Sequence, residues 1–472
     1  MGFEGLLGPL RVLYLGAAPP SSGDAGPPSL AYEYARRAGD RGWKTVVISA
    51  DPTVEAWSDV KEAGEPHQWF TRFGVPPSHP GTWSLLAPST ERDRNDPATK
   101  FFAATLRELA PDLLHVVDNV HLPLDWPELA AEAGIPVVRT VGSTEDLCAL
   151  GTPVSPVSGP HGFCDAPLTP EACASCLSAS YGPELLWPGP AGLSSSDQTA
   201  WLVERLEVKR TRMERQFGSV FDRIVFSTPA WRRYFEATLP LDPDRVRIVE
   251  AGFSLELWRN RPARTAKGSD EPVELVLAGS IGPSNGQLDA IAAFSQPQLA
   301  ARNGYRLRFL GDGDQTLLTP LLRANPNVEA CGPYRQQDLP GLLSSADVGL
   351  STSLFEPFDR VAREYLLAGL AVVANPNVGL EGLVVHDENG LFYDRTSSEG
   401  LAQAIGRLLD DRALLARLSA GAAATASRIR FLDDEMAEMV GLYAEVVRAN
   451  RGSPARRKRR PLASARRPVN RT

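Results

Sequence analysis

The chain has 472 residues, too many for one hydrophobic core, and 43% of them are hydrophobic, which is enough to fill two domains of ordinary size. No apolar run approaches the ~20 residues that span a bilayer, and Met1-Gly2-Phe3-Glu4 lacks the basic start of a signal peptide, so we expect a cytoplasmic protein. Residues 1–450 carry 40 basic against 57 acidic side chains, and their net charge of -17 would repel phosphates, which excludes nucleic acid as a partner.

Apolar runs of strand length alternate with helical patterns through the first half of the chain. The predicted strands are residues 11–16, 43–49, 112–117, 135–140, 223–227 and 246–250, and the predicted helices include 30–38 and 129–133. Strands that alternate with helices form parallel α/β sheets. We therefore predict a first domain over residues 1–252, followed by a link around Gly252-Phe253-Ser254.

The first domain contains a cysteine-rich loop, predicted over residues 148–176. Cys148, Cys164, Cys173 and Cys176 fall within it, and the last two form Cys-Ala-Ser-Cys, a spacing that lets two thiolates bind one ion. Two interpretations stay open, a structural zinc site and four reduced thiols in a flexible loop. The fifth cysteine, Cys331, is expected to be a small buried hydrophobe, and the odd total argues against a disulfide framework.

The second half repeats the alternation of strands and helices. The predicted strands are 273–277, 307–310, 327–332, 346–350 and 371–374, and the predicted helices are 288–294, 339–343, 363–370 and 431–447. Glycines end the first two strands, at Gly279 and at Gly311-Asp312-Gly313. These patterns predict a second domain over 253–430, a helix over 431–450 that crosses back to the first domain, and a disordered basic tail over 451–472.

Two carboxylates stand eight residues apart near the end of the predicted strand 346–350. Glu356 lies in a loop where Pro357 sets a turn, and Glu364 would lie in the first turn of the predicted helix 363–370. Both could accept hydrogen bonds from hydroxyls of one extended ligand. Because ligands of parallel sheets bind at the carboxyl ends of strands, this loop and helix are the candidate site.

The segment from Glu356 to Glu364 resembles the E-x7-E motif of retaining glycosyltransferases of family 4. The order of strands and helices over about residues 10–450 is similar to that family as well. The resemblance implies the GT-B fold, in which two Rossmann-like domains with parallel sheets face each other. It also implies transfer of a sugar from a nucleotide-sugar donor to a glycan, glycolipid or small-molecule acceptor with retention of configuration, and without a catalytic cofactor.

The resemblance also implies roles for individual residues. Glu356 would approach hydroxyls of the donor sugar as the catalytic residue, and Glu364 would bind the nucleotide ribose. The donor phosphates would lie at the turn from Gly279 to Gly286. The remaining candidate donor contacts are Ser280, Asn285, Phe358, Asp359 and Arg360.

This chain departs from the family pattern at three places. Gly142-Ser143 stands where the family commonly has His-Asp, and Ser280 and Asn285 stand where it usually has Arg and Lys. Asp359 replaces a glycine, and its carboxylate would repel a nearby pyrophosphate. Arg360 and Arg363 would replace the missing cations if they point into the cleft.

These departures keep two main functions open. One is an active retaining glycosyltransferase with an altered donor site, and the other is a GT-B protein that has lost turnover and serves as a binding or partner subunit. Another reaction on the same fold is a third alternative. The tail Arg456-Arg457-Lys458-Arg459-Arg460 would suit peripheral contact with anionic lipid and a lipid-linked acceptor, or it is a solvated tail without a partner.

Overall fold

A computed structural model of the protein describes residues 8–16, 30–51, 60–63, 68–74, 97–118, 122–148, 164, 169–181, 194–262, 268, 270–282, 285–397 and 399–452. Two α/β units follow one another along the chain, each built on one mainly parallel sheet. The predicted α/β class with two parallel sheets is therefore confirmed. The basic run 456–460 lies outside the described residues.

The first sheet has eight strands in the order β3-β4-β2-β1-β5-β6-β7-β8. Its strands are β1 Arg11–Leu15, β2 Lys44–Asp51, β3 Val60–Ala63, β4 Gln68–Gly74, β5 Leu113–Val116, β6 Val137–Val141, β7 Arg223–Phe226 and β8 Val246–Ile248. Neighbours run parallel except β3 and β4, which pair antiparallel at one edge. The sequence patterns did not predict this hairpin.

The helices that accompany this sheet are α1 Leu30–Asp40, α2 Pro97–Leu109, α3 Trp126–Glu132, α4 Pro170–Tyr181, α5 Ser195–Arg215 and α6 Pro229–Glu236, with a π-helical turn Gln216–Val220 and a 3-10 turn Pro243–Arg245. The short helix α7 Leu255–Arg259 follows the link, and its Trp258 packs in a core cluster of the second unit. The start of α6 is set by Thr228, whose hydroxyl accepts from Trp231 N at 3.0 Å, and by Pro229 at the first helical position.

The second sheet has six strands, all parallel, in the order β11-β10-β9-β12-β13-β14. Its strands are β9 Val273–Ala278, β10 Tyr305–Leu310, β11 Val328–Gly332, β12 Val348–Ser351, β13 Ala371–Ala374 and β14 Gly390–Phe392. Its helices are α8 Gln287–Ser295, α9 Pro297–Ala300, α10 Thr319–Ala324, α11 Leu339–Leu343, α12 Arg360–Leu367, α13 Gly400–Asp410 and α14 Arg412–Ala426, with 3-10 turns Gln315–Leu318, Gln336–Asp338 and Val378–Leu380. Strands β12 and β13 are buried along their whole length, because helices cover both faces.

The last helix, α15 Leu432–Gly452, packs on the first unit. Met436, Met439 and Tyr443 share one apolar cluster with Tyr14 and Tyr34 of β1 and α1. The first sheet ends at Ile248 and the second begins at Val273. The predicted division after residue 252 lies in this interval and stays a prediction.

The chain crosses between the two units twice, and the two crossings lie side by side. Phe253 N donates to Arg430 O at 3.1 Å, and Leu432 N donates to Phe253 O at 2.9 Å. A Cβ on Gly252 would lie 2.4 Å from Leu432 N, so only glycine permits this approach. Glu435 of α15 accepts from Gly252 N at 2.8 Å and also from the Tyr34 hydroxyl. No helix of the described chain is long and apolar enough to cross a membrane.

Candidate functional site

A cavity of about 710 Å³ lies between the two sheets. Residues that follow β5 and β6 line its first-domain side, and residues that follow β11 or begin α12 line its second-domain side. The lining residues used below are Asp118, Ser143, Glu145, Gly252, Arg335, Gln336 and Arg360. Open α/β sheets bind ligands at the carboxyl ends of their strands, so this cleft is the candidate site.

The loop that carries Glu356 is held from behind by Gly379 and Arg363. Gly379 N donates to Glu356 O at 2.8 Å, and a Cβ on Gly379 would lie within 2.8 Å of the loop backbone. Arg363 Nη1 donates to the carbonyl oxygens of Phe358 and, at 2.9 Å, Gly379. The Arg363 side chain is only 3% exposed, with Nε 3.8 Å from Glu250 Oε1. The structure therefore does not place Arg363 in the cleft, since its guanidinium fixes the loop instead.

Phe358, a predicted donor contact, packs between Arg363 and Phe253. The Arg363 guanidinium lies 3.7 Å from the centre of its ring, and on the interdomain side the ring stacks at 6.2 Å on Phe253. Burial lowers the pKa of Arg363 to about 10, because the charged form loses hydration. Phe358 thus connects the candidate loop to the link between the two units.

The Glu356 side chain is partly buried. Burial, followed by the charge of Asp359, raises its pKa to about 8, while a hydrogen bond with Ser353 acts in the opposite direction. Glu356 is therefore mostly protonated at neutral pH in the unliganded protein. In that state it can donate a hydrogen bond as well as accept one, which suits contact with a hydroxyl group.

Asp359 is the N-cap of α12. Its backbone is left-handed, with φ 48°, and its carboxylate accepts from Ala362 N at 3.0 Å. The other carboxylate oxygen accepts from Ser351 Oγ at 2.7 Å and Asn377 Nδ2 at 3.0 Å, and the residue is 2% exposed. The carboxylate therefore accepts hydrogen bonds from groups of the surrounding loops and of α12, and it does not face the cleft as a free charge.

This cap also corrects the predicted helix. The helix begins at Arg360, three residues before the predicted start at 363, because Asp359 supplies the cap. Gly369, with φ 75°, follows its end. Glu364 accordingly lies in the second turn of α12 and one turn beyond Arg360.

Glu364 lies behind two residues of the cavity wall. Gln336 Nε2 donates to Glu364 Oε1 at 2.6 Å, and Arg360 Nε lies 3.4 Å from the same oxygen. Burial raises the pKa of Glu364, and the charge of Arg360 opposes this. The structure thus brings together Glu364 and Arg360, which were both candidate site residues. It also adds Gln336, which the sequence analysis missed. A glutamine in a turn carries no distinctive sequence signal.

Hydrogen bonds to the Ser280 carbonyl oxygen link the two ends of the turn from Gly279 to Gly286. Asn285 Nδ2 donates to Ser280 O at 2.6 Å, and Gln287 Nε2 donates to the same oxygen at 2.9 Å. Thr352 Oγ1 donates to Asn285 O at 2.9 Å, which attaches the turn to the loop before Glu356. The turn therefore approaches the candidate loop, and both residues in the predicted cation positions are neutral.

The first-domain wall contains buried charges that the sequence analysis missed. Arg139 Nη2 donates to Asp146 Oδ2 at 2.7 Å, and both side chains are at most 3% exposed. Glu145 lines the cavity, and its Oε2 has no hydrogen-bond partner in the described part of the chain. Burial, then the charge of Asp118, raises the pKa of Glu145 to about 7. This wall can therefore present a carboxyl group to an acceptor.

His115 does not supply the histidine that the resemblance led us to expect near Gly142-Ser143. It is fully buried, its Nδ1 lies 2.6 Å from the Tyr443 hydroxyl, and its Nε2 lies 2.8 Å from Thr140 Oγ1. Burial lowers its pKa to about 3, so it stays neutral. His115 joins β5 to α15, which is a structural role.

The four clustered cysteines approach one another in space. Burial, then the charges of Cys148, Cys164 and Cys176, raises the pKa of Cys173 to about 11. The described residues nevertheless contain no group of three or more His, Cys, Asp or Glu placed to hold a metal ion. The zinc site therefore stays a prediction. The expectation for Cys331 is wrong, since it is exposed at the end of β11.

Metal analysis tests the zinc prediction directly. If the thiols close on an ion, protein purified without chelator should contain about one zinc per chain, and a Cys173→Ser Cys176→Ser variant should lose it. Without metal, the raised pKa keeps the Cys173 thiol protonated, so we expect slow alkylation by iodoacetamide at pH 7.5. Protein free of zinc and iron would support four reduced thiols.

Comparison with known proteins identifies similar sequences. Residues 272–411 match the family described as Glycosyl transferases group 1. The chain is 28% identical over 252 residues to a D-inositol 3-phosphate glycosyltransferase of Thermobispora bispora, covering 50% of this chain and 58% of that protein. It is 31% identical over 180 residues to a glycogen synthase of Mycobacterium tuberculosis, covering 36% and 42%. The chain therefore spans about half the length of the curated relatives it matches.

Solved structures share the fold over nearly the whole chain. Sucrose-phosphate synthase from Thermosynechococcus elongatus aligns with a TM-score of 0.63 at 17% identity, over 93% of this chain and 100% of that one. Anabaena HepE in complex with UDP and glucose aligns with a TM-score of 0.57 at 17% identity, over 92% and 100%. The fold is that of the GT-B glycosyltransferases, as predicted.

Proposed function

We propose that this protein transfers a sugar from a nucleotide-sugar donor to a glycan, lipid-linked or small-molecule acceptor, with retention of configuration. The observation that carries the proposal is the placement of Glu356 and Glu364 on the loop and helix between β12 and β13, with Glu364 directly behind Gln336 and Arg360 of the cavity wall. Similar proteins are named glycosyltransferases, and one solved neighbour holds UDP and glucose, which supports a nucleotide-sugar donor.

The proposed roles follow the chemistry of the two carboxyl groups. A ribose diol would displace the Gln336 amide from Glu364 and donate to its carboxylate. Glu356, which is mostly protonated at neutral pH, would exchange hydrogen bonds with hydroxyls of the donor sugar. The bond from the anomeric carbon to the phosphate oxygen breaks, and the acceptor oxygen bonds to that carbon on the same face. The leaving phosphate takes the acceptor proton, so no dedicated base and no cofactor is needed.

Titration calorimetry with UDP, GDP, ADP, dTDP and CDP and their common sugar conjugates tests this proposal. We expect wild type to bind one of the nucleotides with micromolar affinity. The Glu364→Ala variant should bind that nucleotide about ten- to hundredfold more weakly, because the substitution removes charged hydrogen bonds to the ribose. Glu356→Ala should weaken the sugar conjugate and spare the free diphosphate. If no nucleotide binds, the proposal is rejected.

A second candidate is a GT-B protein without turnover that serves as a binding or partner subunit. It is favoured by the neutral turn, in which Ser280 and Asn285 bond to each other. Binding of a nucleotide without sugar transfer or donor hydrolysis would identify this alternative. Under either candidate we propose that the protein works in the cytoplasm, and that the basic run 456–460, which lies outside the described residues, contacts anionic lipid.

A further inference from the structure

A nucleotide diphosphate needs compensating positive charge, and the turn predicted to bind it supplies none. Ser280 is exposed but neutral, and the Asn285 amide is committed to Ser280 O at 2.6 Å. Diphosphate oxygens lose hydration in a cleft and require charged or hydrogen-bonding donors in return. A donor site in this cleft must therefore take its cation from another element.

Arg360 is the cation whose position fits this need. It lines the cavity as the first residue of α12, and its side chain is 35% exposed. Its Nε faces Glu364 Oε1 without completing a hydrogen bond in the described chain, and its guanidinium lies 4.4 Å from the ring centre of Phe253. Its only ion pair there is with Glu364, at 3.4 Å.

The other arginines near the loop are committed elsewhere. Arg363 is buried and donates to backbone carbonyls. Arg335 lines the cavity, but its guanidinium makes two hydrogen bonds to Asp338, at 2.8 and 3.1 Å. Arg360 therefore has the largest unused donor capacity among these three.

The spacing of Arg360 and Glu364 matches the order of groups in a nucleotide. Residues four apart on a helix share one face, separated by about 6 Å along the axis. A ribose bound at Glu364 would extend its 5′ phosphates along this face towards the start of α12, where Arg360 stands. The same ribose would compete with Arg360 for Glu364 and release the guanidinium.

We propose that Arg360 is the phosphate-binding cation of the donor site, exchanging its ion pair with Glu364 for the donor diphosphate when a nucleotide binds. This inference rests on the proposed function and assigns to α12 the charge that the neutral turn lacks. The ligand class is a nucleoside diphosphate or its sugar ester. Without ligand, Glu364 keeps the guanidinium at the cleft.

Calorimetry on full-length Arg360→Gln tests the exchange. The probes are the diphosphate among UDP, GDP, ADP, dTDP and CDP that wild type binds most tightly, its monophosphate and its nucleoside. We expect the variant to bind the diphosphate about ten- to hundredfold more weakly and the monophosphate to be less affected. The nucleoside should bind no more weakly than to wild type, because Arg360 no longer competes for Glu364. Arg360→Lys should recover part of the diphosphate affinity, since it restores charge without the forked donors.

The matched control is Arg232→Gln on α6, because Arg232 also pairs with a glutamate four residues on, at 2.9 Å and with 31% of its side chain exposed. It should leave all three affinities unchanged. Equal loss for all three probes in Arg360→Gln would mean a structural role and would overturn the inference alone. Unchanged diphosphate binding would overturn it as well. If wild type binds none of the diphosphates, both the inference and the proposed function fail.

Discussion

Replacing Gly286 by alanine is expected to destabilise the protein by ~2–5 kcal/mol, through left-handed strain and a forced backbone shift. Gly286 has φ 70°, and a Cβ there would lie 1.8 Å from Thr352 O and 2.5 Å from Thr352 C. Both atoms are backbone, so no side-chain rotation relieves the overlap. The turn would have to move away from β12 and from the loop before Glu356, and we expect nucleotide binding to be lost.

Chemical denaturation and calorimetry measure the two effects. Gly282→Ala in the same turn is the matched control, because a Cβ there meets nothing within 4 Å and its φ is not left-handed. Gly282→Ala should therefore unfold at nearly the wild-type denaturant concentration. Equal stability of the two variants would show that the turn does not pack against Thr352 as described.

The free energy of unfolding of Glu356→Gln, relative to that of wild type, is expected to rise by a few kcal/mol as the pH rises from about 5 to 9. The pKa of Glu356 is about 8 in the folded protein, against 4.5 for an ordinary glutamate. The folded state thus holds a proton that the unfolded state releases between these values. Wild type therefore loses stability as pH rises through this window, whereas glutamine stays neutral.

Denaturant unfolding of both proteins at pH 5 and pH 9 gives the comparison, since other titrating groups are common to the two. Asp359→Asn adds a second measurement. Without the neighbouring charge the pKa of Glu356 should fall, and the pH-dependent difference should shrink. A constant difference between wild type and Glu356→Gln at both pH values would mean that Glu356 is ionised and solvated.

Much of the fold could be predicted because it depends on patterns that are local in sequence. Apolar runs such as Ala371–Ala374 are short, buried on both faces and separated by helical segments, and this alternation specifies a parallel sheet. The β3–β4 hairpin was missed because its pairing depends on an edge position in three dimensions. Strand pattern alone does not show which runs become edges.

The site was predictable in its residue types but not in their orientation. Glu364 was chosen from its spacing to Glu356 and Arg360 from the family resemblance, and the structure places the two together. The direction of Arg363 was not readable, because it depends on carbonyl groups of Phe358 and Gly379 that converge only in the fold. Asp359 suggested charge repulsion in the sequence, whereas its left-handed backbone turns the carboxylate into a cap. Glu145 was missed because the neighbouring charge that helps to raise its pKa, on Asp118, follows a different strand and is distant in sequence.

The paired crossings at Phe253 and Leu432 determine when the first unit can finish folding. Met436, Met439 and Tyr443 fill its core beside Tyr14 and Tyr34, yet a ribosome adds them only after the whole second unit. Until then, the apolar surface of β1 and α1 stays exposed. The unit made first is therefore completed last, and a chain cut after the second sheet would leave the first unit without part of its core.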